Sequence, residues 1–130
     1  MSEPGWPLLT DGSTVVVVGA SLAGLSSVRA LREQGFGGRV VVVGAEEHRP
    51  YDRPPLSKDF LAGRTPEAGL ALESAHAPDP GAEWLLGRRA VALDPATRTL
   101  VLDDGRLLAA DAAVLATGAR ARRLPARRPR

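Results

Sequence analysis

The sequence contains no cysteine, and only two histidines occur among its 130 residues. The absence of cysteine excludes a disulfide framework, a thiolate metal cluster and a dithiol redox centre. Protein zinc sites draw mainly on cysteine and histidine, so we expect no zinc chemistry either. His48 and His76 have no acid and serine spaced to form a catalytic triad with them, and we interpret both as surface residues.

Long hydrophobic runs are also absent. No apolar segment approaches the roughly 18 residues that a membrane-spanning helix needs. The amino-terminal residues lack the basic start and the apolar stretch of about 7 to 15 residues that mark a secretory signal. We therefore predict a cytoplasmic protein with no membrane partner. With 44% hydrophobic and 25% charged residues, the chain has the composition of one globular domain.

Lysine is rare and positive charge is unevenly distributed. Residues 120–130 hold six arginines and no acid, whereas residues 1–119 carry 11 basic and 15 acidic side chains, a balance of −4. The net charge of +2 therefore does not indicate a nucleic-acid-binding surface. We predict a solvated tail and no nucleic-acid partner, with binding to an acidic partner or RNA as the less favoured alternative. Lys58 is the single lysine.

The first half of the chain reads as a strand, a helix and a second strand. Residues 14–18 (TVVVV) and 39–43 (RVVVV) are short runs rich in valine, typical of parallel strands buried on both faces. Between them, apolar residues at a spacing of three predict a helix over 21–34, with Arg29, Arg32 and Glu33 able to face water. These elements predict a right-handed βαβ unit.

The second half is predicted to contain short strands separated by turns. Three prolines stiffen residues 49–58, and a short helix is expected to follow through Phe60. The remaining assignments are a loop at 62–82, a third core strand near 84–86, an antiparallel meander of three strands over 89–109 and a last buried strand at 112–116. The predicted domain boundaries are a tail at 1–12, a nucleotide-binding domain at 13–120 and an arginine-rich tail at 121–130.

The segment GASLAG, from Gly19 to Gly24, follows the first strand and opens the helix, where a dinucleotide fingerprint would lie. Gly19 allows a sharp turn, and Gly24 allows close packing of the helix against the strand. The helix N-terminus offers N–H groups to a pyrophosphate. The middle glycine of the fingerprint is Ser21 here, and an ordinary strand-to-helix turn remains an alternative.

Glu46 strengthens the dinucleotide interpretation, because it lies 22 residues after Gly24 at the end of the second predicted strand. A carboxylate there can accept hydrogen bonds from both ribose hydroxyls of an adenosine, and it would repel a 2′-phosphate. The alternative is that Glu46 and Glu47 are solvated loop acids.

The string PYDRPPLSK (Pro50 to Lys58), together with the fingerprint, the DDG turn and LATGAR (Leu115 to Arg120), resembles the ferredoxin reductase group of the pyridine-nucleotide-disulfide oxidoreductases. The resemblance implies an α/β fold, an incomplete FAD-binding domain with a Rossmann-like parallel sheet and an antiparallel β-meander. It implies FAD as the cofactor, NAD(P)H as a substrate of the complete enzyme and an iron-sulfur carrier such as ferredoxin or rubredoxin as the partner. The lack of cysteine favours this branch over the disulfide reductases.

The resemblance also assigns residues to the cofactor. It places Arg53 and Lys58 near the flavin and its phosphates, the backbone of Val91 against the adenine, and Thr117 and Gly118 near the cofactor. The alternative for Lys58 is an exposed lysine, and the alternative for Thr117 and Gly118 is a simple strand end. Packing of Val91 as a strand residue in the sheet can hold together with its role at the adenine. The full candidate set is Gly19, Ala20, Ser21, Leu22, Ala23, Gly24, Glu46, Arg53, Lys58, Val91, Thr117 and Gly118, with no catalytic or metal-binding residue.

Members of this family have a second nucleotide-binding unit after the segment that corresponds to LATGAR. We therefore expect this chain to be the first part of a reductase, able to bind FAD only weakly and unable to turn over NAD(P)H by itself. Two alternatives remain open at this point. One is a plain NAD-binding module, which would leave PYDRPPLSK unexplained, and the other is an inactive remnant.

Overall fold

The computed structural model describes residues 8–52, 54–70, 80–123 and 125. Within them lie one α-helix, two short 3-10 helices at Pro54–Ser57 and Glu67–Leu70, and seven strands. In chain order the main elements are β1 (Thr14–Val18), α1 (Leu22–Glu33), β2 (Arg39–Gly44), β3 (Glu83–Leu86), β4 (Ala90–Asp94), β5 (Thr99–Leu102), β6 (Leu107–Ala109) and β7 (Ala112–Leu115).

Four strands form a parallel sheet in the order β3-β2-β1-β7. Strand β1 runs in register with β2, from Thr14 beside Arg39 to Val18 beside Val43. On its other side β1 pairs with β7, so the first and last predicted core strands are neighbours although almost the whole chain separates them. The carboxyl ends of β1, β2 and β7 therefore meet at one edge of the sheet.

Both faces of the central strands are covered, as their continuous valine runs predicted. Val17, Val40 and Val42 pack with Val28 of α1 on one face. On the other face, alternate valines of β1 and β2 pack with β5, in a cluster of Val16, Val18, Val41, Val43, Leu100, Leu102 and Ala110. A strand without polar alternation needs apolar cover on two sides, and here the helix and the second sheet supply it.

The second sheet is the predicted antiparallel meander, in the order β4-β5-β6. Each of its two turns is closed by an aspartate. Asp94 accepts a hydrogen bond of 2.9 Å from the N–H of Ala96, and Asp104 accepts one of 3.0 Å from the N–H of Arg106. The hydrogen bond from the Arg106 backbone is the main reason why the pKa of Asp104 lies below its usual value.

The Asp-Pro and Asp-Gly signals thus located both turns correctly.

Helix α1 buries Gly24, Leu25 and Val28. The expectation that Arg32 faces water is wrong. Its guanidinium donates hydrogen bonds of 2.7 to 2.9 Å to four backbone carbonyl groups, those of Phe36, Gly38, Pro80 and Gly81. An arginine carries five N–H donors in a planar fork, so one side chain can hold several carbonyls that approach from different segments. Arg32 joins the end of α1 to the entries of β2 and β3.

The entry of β3 is also held by an ion pair. Arg39 on β2 donates two hydrogen bonds of 2.8 Å to the carboxylate of Glu83 on β3. These hydrogen bonds lower the pKa of Glu83, so the pair stabilises the fold at neutral pH and loses its effect once acid protonates Glu83. Both side chains are more than half exposed, which limits the contribution of the pair to a small one.

The proline-rich segment is less helical than predicted. The 3-10 helix Pro54–Ser57 is followed by turns, with the N–H of Phe60 donating to the carbonyl of Pro55 at 2.9 Å. In the predicted loop, residues 62–66 are irregular, Glu67–Leu70 is a 3-10 turn, and residues 71–79 lie outside the described part. No helix in the described ranges is long and apolar enough to cross a membrane. The tail boundaries at 1–12 and 121–130 stay predictions.

We expect Arg32→Ala to lower the free energy of unfolding by about 2 kcal/mol or more. A hydrogen bond to a charged group contributes roughly 1.5–3 kcal/mol, and in this variant four backbone carbonyl groups lose the hydrogen bond that they accept from Arg32. Urea unfolding of the two proteins measures the difference. Arg29→Ala is the matched control, because Arg29 lies one turn earlier and makes no side-chain hydrogen bond or ion pair with a described residue. Equal stability of the two variants would contradict the structural role of Arg32.

Candidate nucleotide site

The turn after β1 is built around a backbone contact at Gly19. Gly19 has φ of 119°, and a Cβ placed there would lie 1.9 Å from the carbonyl oxygen of Ala116, at the end of β7. No residue with a side chain fits this position without a shift of the backbone. The Gly19 N–H donates to the carbonyl of Val43 at 2.8 Å, so the turn is fastened to β2 as well.

Helix α1 packs closely against this turn at Gly24. A Cβ on Gly24 would lie 1.9 Å from the carbonyl oxygen of Gly19. At the end of β2, a Cβ on Gly44 would lie 2.4 Å from the Cβ of Ala20. The sharp turn expected of Gly19 and the close packing expected of Gly24 are therefore present. Sequence reasoning overlooked Gly44, whose only signal was a glycine directly after four valines.

The N-terminus of α1 presents unused backbone donors. Ser21 is the N-cap residue, with an extended backbone and no capping hydrogen bond from its side chain. The first helical hydrogen bond runs from Leu25 N–H to the Ser21 carbonyl at 2.9 Å. The N–H groups of Leu22, Ala23 and Gly24 therefore precede the intrahelical ladder. Since no acid lies in the first turn, the partial positive charge of this end is available to an anion.

Glu46 lies two residues beyond the end of β2 and is exposed. Its backbone carbonyl accepts a hydrogen bond of 3.0 Å from the N–H of Gly87, which follows β3. Its side chain accepts a hydrogen bond of 2.7 Å from the hydroxyl of Tyr51. Because β1 and β2 are parallel neighbours, this carboxylate and the Gly19 turn share one edge of the sheet, as the spacing predicted. Sequence reasoning did not single out Tyr51.

Val91 is the extra residue of a β-bulge. The pairing of β4 with β5 shifts between Ala90, which lies opposite Leu102, and Ala92, which lies opposite Val101. A bulge leaves the backbone of its additional residue outside the ladder, and such irregularities are frequent beside binding sites. Val91 is a strand residue of β4 whose side chain is 60% exposed, and its assignment to the adenine stays a prediction.

The end of β7 lies against the nucleotide turn. Ala116 donates its N–H to the carbonyl of Val18 at 2.8 Å, and the Thr117 nitrogen is 3.2 Å from the position of a Cβ on Gly19. Thr117 and Gly118 are exposed, and Gly118 has φ of 72°. The alternative of a simple strand end for these two residues remains compatible with their position.

The structure leaves the two predicted flavin-side cations, Arg53 and Lys58, untested. Arg53 lies outside the described residues. Lys58 is exposed, follows the 3-10 helix and donates its backbone N–H to the carbonyl of Pro55 at 3.0 Å. In the part of the chain that the structure describes, no hydrogen bond or ion pair joins its ammonium group to the Gly19–Gly24 turn. The two assignments stay predictions.

A glycine turn, a helix N-terminus and a carboxylate after the neighbouring parallel strand are the parts of a dinucleotide-binding α/β domain. The fold and this edge of the sheet define that class.

The profile of the pyridine nucleotide-disulphide oxidoreductase family matches residues 13–128, and the chain belongs to this family. This result confirms the resemblance found in the sequence.

Curated relatives are similar over most of the chain. The ferredoxin–NAD(+) reductase component of the biphenyl dioxygenase system of Paraburkholderia xenovorans (strain LB400) is 46% identical over 88% of this chain and 28% of its own length. The rubredoxin-NAD(+) reductase of Pseudomonas putida is 35% identical over 85% of this chain and 29% of its own length. The chain thus spans under a third of the length of these relatives.

Solved structures agree with this assignment. The reductase in the covalent putidaredoxin reductase-putidaredoxin complex matches with a TM-score of 0.81 at 37% identity, over 89% of this chain and 28% of that chain. The ferredoxin reductase for the CYP199A2 system of Rhodopseudomonas palustris matches with a TM-score of 0.77 at 35% identity, over 86% of this chain and 28% of that chain. The predicted combination of a Rossmann-like parallel sheet and an antiparallel meander is confirmed.

We expect Gly24→Ala to destabilise the fold by about 2 kcal/mol, because overpacking against backbone atoms costs roughly 1–3 kcal/mol. Thermal unfolding followed by circular dichroism measures the change. Gly12→Ala is the matched control, since a Cβ there meets nothing closer than the Thr10 hydroxyl at 3.7 Å. A Gly24→Ala protein as stable as this control would show that the helix does not need its close approach to the turn.

Proposed function

We propose that this chain is the FAD-binding part of an NAD(P)H-dependent reductase of ferredoxin or rubredoxin. The observation that carries the proposal is the meeting of the Gly19–Gly24 turn, the bare N-terminus of α1 and Glu46 at one edge of the sheet. Relatives named as ferredoxin and rubredoxin reductases support the choice among dinucleotide-binding proteins.

The geometry fits the adenylate half of FAD. The close contacts at Gly19 and Gly24 fix the turn against the start of α1, where the first N–H groups precede the helical hydrogen bonds and can bind a pyrophosphate. In the proposed complex Ala20, Ser21, Leu22 and Ala23 line this approach. Glu46 accepts hydrogen bonds from the ribose hydroxyls, and the bulged backbone at Val91 is offered to the adenine.

In the proposal, the flavin half of FAD lies beside the proline-rich segment of residues 49–58. When bound, FAD would supply two-electron chemistry between a nicotinamide and a one-electron carrier. In the proposal Arg53 and Lys58 place positive charge near the ring, where negative charge develops on reduction. Thr117 and Gly118 border the same edge of the sheet as the nucleotide turn.

The partner of the complete enzyme is proposed to be an iron-sulfur carrier such as ferredoxin or rubredoxin, reached in the cytoplasm. The absence of cysteine supports this branch, because a disulfide reductase needs a redox-active cysteine pair. The proposal places one dinucleotide on the described residues, whereas electron transfer from NAD(P)H through FAD needs a place for each nucleotide. The 130-residue chain is therefore proposed to bind FAD weakly and to be inactive by itself.

A titration of the apo-chain with FAD, followed by the change in flavin fluorescence and repeated with NADH, tests this function. We expect saturable binding of FAD that ADP displaces, and no oxidation of NADH with an artificial electron acceptor. Binding of NADH without FAD would favour the alternative of an NAD-binding module, and NADH oxidation by the chain alone would contradict its proposed dependence on further parts.

Lys58→Ala tests the proposed contact between this chain and the flavin half of FAD. Loss of a charge-assisted hydrogen bond should weaken FAD binding by about tenfold and leave ADP binding unchanged. Arg64→Ala is the control, because Arg64 is an exposed cation of the same segment whose side chain pairs with Asp59 at 2.9 Å. Equal FAD affinity in both variants would remove Lys58 from the site.

A further inference from the structure

The Glu46 carboxylate accepts a hydrogen bond from the side chain of Tyr51. The Tyr51 hydroxyl donates a hydrogen bond of 2.7 Å to Oε2 of Glu46, five residues earlier in the chain. A hydroxyl that donates to an ionised carboxylate forms a charge-assisted hydrogen bond, which is stronger than one between two neutral groups. A carboxylate has about four acceptor positions, so this bond is compatible with acceptance of two ribose hydroxyls by the same group.

Tyr51 is itself fixed by its neighbours. Pro50, directly before it, is among the fully buried side chains of the molecule and anchors the segment in the core. The His48 ring meets the Tyr51 ring edge-on, with centroids 6.5 Å apart and planes at 88°. Edge-to-face geometry of this kind is favourable for aromatic rings. The hydroxyl that reaches Glu46 therefore belongs to an anchored side chain.

Glu46 is restrained at its backbone as well. The Gly87 N–H donates to its carbonyl at 3.0 Å, which ties the loop to the end of β3. An exposed glutamate otherwise has several rotamers, and fixing them on ligand binding costs conformational entropy. When the protein fixes the rotamer beforehand, more of the interaction energy remains for the ligand. The Tyr51 hydrogen bond performs this function for the carboxylate.

We propose that Tyr51 is a positioning residue, which holds the Glu46 carboxylate for recognition of the ribose hydroxyls of an adenosine nucleotide. The inference rests on the proposed function and deepens it. Tyr51 acts through Glu46 and does not itself touch the nucleotide. The oriented Glu46 carboxylate makes binding specific for the ribose. It accepts a hydrogen bond from a 2′-hydroxyl, lacks that bond with a 2′-deoxyribose and repels a 2′-phosphate.

Calorimetric titration of the full chain with ADP and with 2′-deoxy-ADP tests the proposal. The decisive quantity is the ratio of the two dissociation constants, which we expect to be about tenfold in favour of ADP in the unmodified protein, as the loss of one hydrogen bond to a charged acceptor implies. In Glu46→Gln the ratio should fall close to one. Tyr51→Phe should weaken ADP binding by about fivefold and lower the ratio, while the unfolding temperature stays near that of the unmodified chain.

Two further variants separate positioning from a structural effect. The double variant Tyr51→Phe with Glu46→Gln should bind ADP like Glu46→Gln alone, because Tyr51 then has no carboxylate to orient. Glu47→Gln makes the same chemical change one residue away and should leave the ratio unaltered, since no hydrogen bond joins Glu47 to a described residue.

The outcomes distinguish the two proposals. A Tyr51→Phe protein with an unaltered ratio, or with a loss equal for both nucleotides and additive to that of Glu46→Gln, overturns the role of Tyr51 while the nucleotide site stands. Failure of the unmodified chain to bind FAD and ADP overturns the proposed function, and the role of Tyr51 with it.

Discussion

The backbone contact at Gly19 is the constraint on which the site depends. One turn brings together the ends of β1 and β7 and the start of α1, at distances that leave no room for a Cβ on Gly19 or Gly24. The valine-rich strands make this possible, because a sheet covered on both faces is rigid enough to hold three backbones in contact. The same turn carries the N-terminus of α1, where Ser21 makes no capping hydrogen bond from its side chain, so the first N–H groups can attract an anion.

A second set of contacts fixes what surrounds the turn. Arg32 holds the entries of β2 and β3, and the Gly87 N–H holds the loop that carries Glu46. Polar groups at both ends of the sheet thus determine where its loops lie. The hydrophobic core alone would not fix the positions of these loops, because apolar packing is non-directional whereas hydrogen bonds fix distances and angles.

Much of this arrangement could be predicted from local patterns. The strands near 14–18, 39–43 and 84–86, the helix and both meander turns have the predicted positions, because each has its own periodicity or turn residues. The contacts of Arg32 could not be predicted, since its carbonyl partners at Pro80 and Gly81 are distant in the sequence. The bulge at Val91 carries no signal in the residue itself, because it results from a register shift between two strands.

The sequence by itself determined the class of fold, the family and the position of the glycine turn. The fold class, the family and the glycine turn can be predicted because each depends on residue types at short spacings, which are visible in the sequence without any knowledge of the tertiary contacts. Only the tertiary structure decided that β7 lies beside β1 and that Tyr51 reaches the Glu46 carboxylate. The pairing of β7 with β1 joins segments far apart in the chain, and the packing of the whole domain sets it. The Tyr51 contact is short in sequence, but it depends on the path that the loop takes after β2, which no residue pattern specifies.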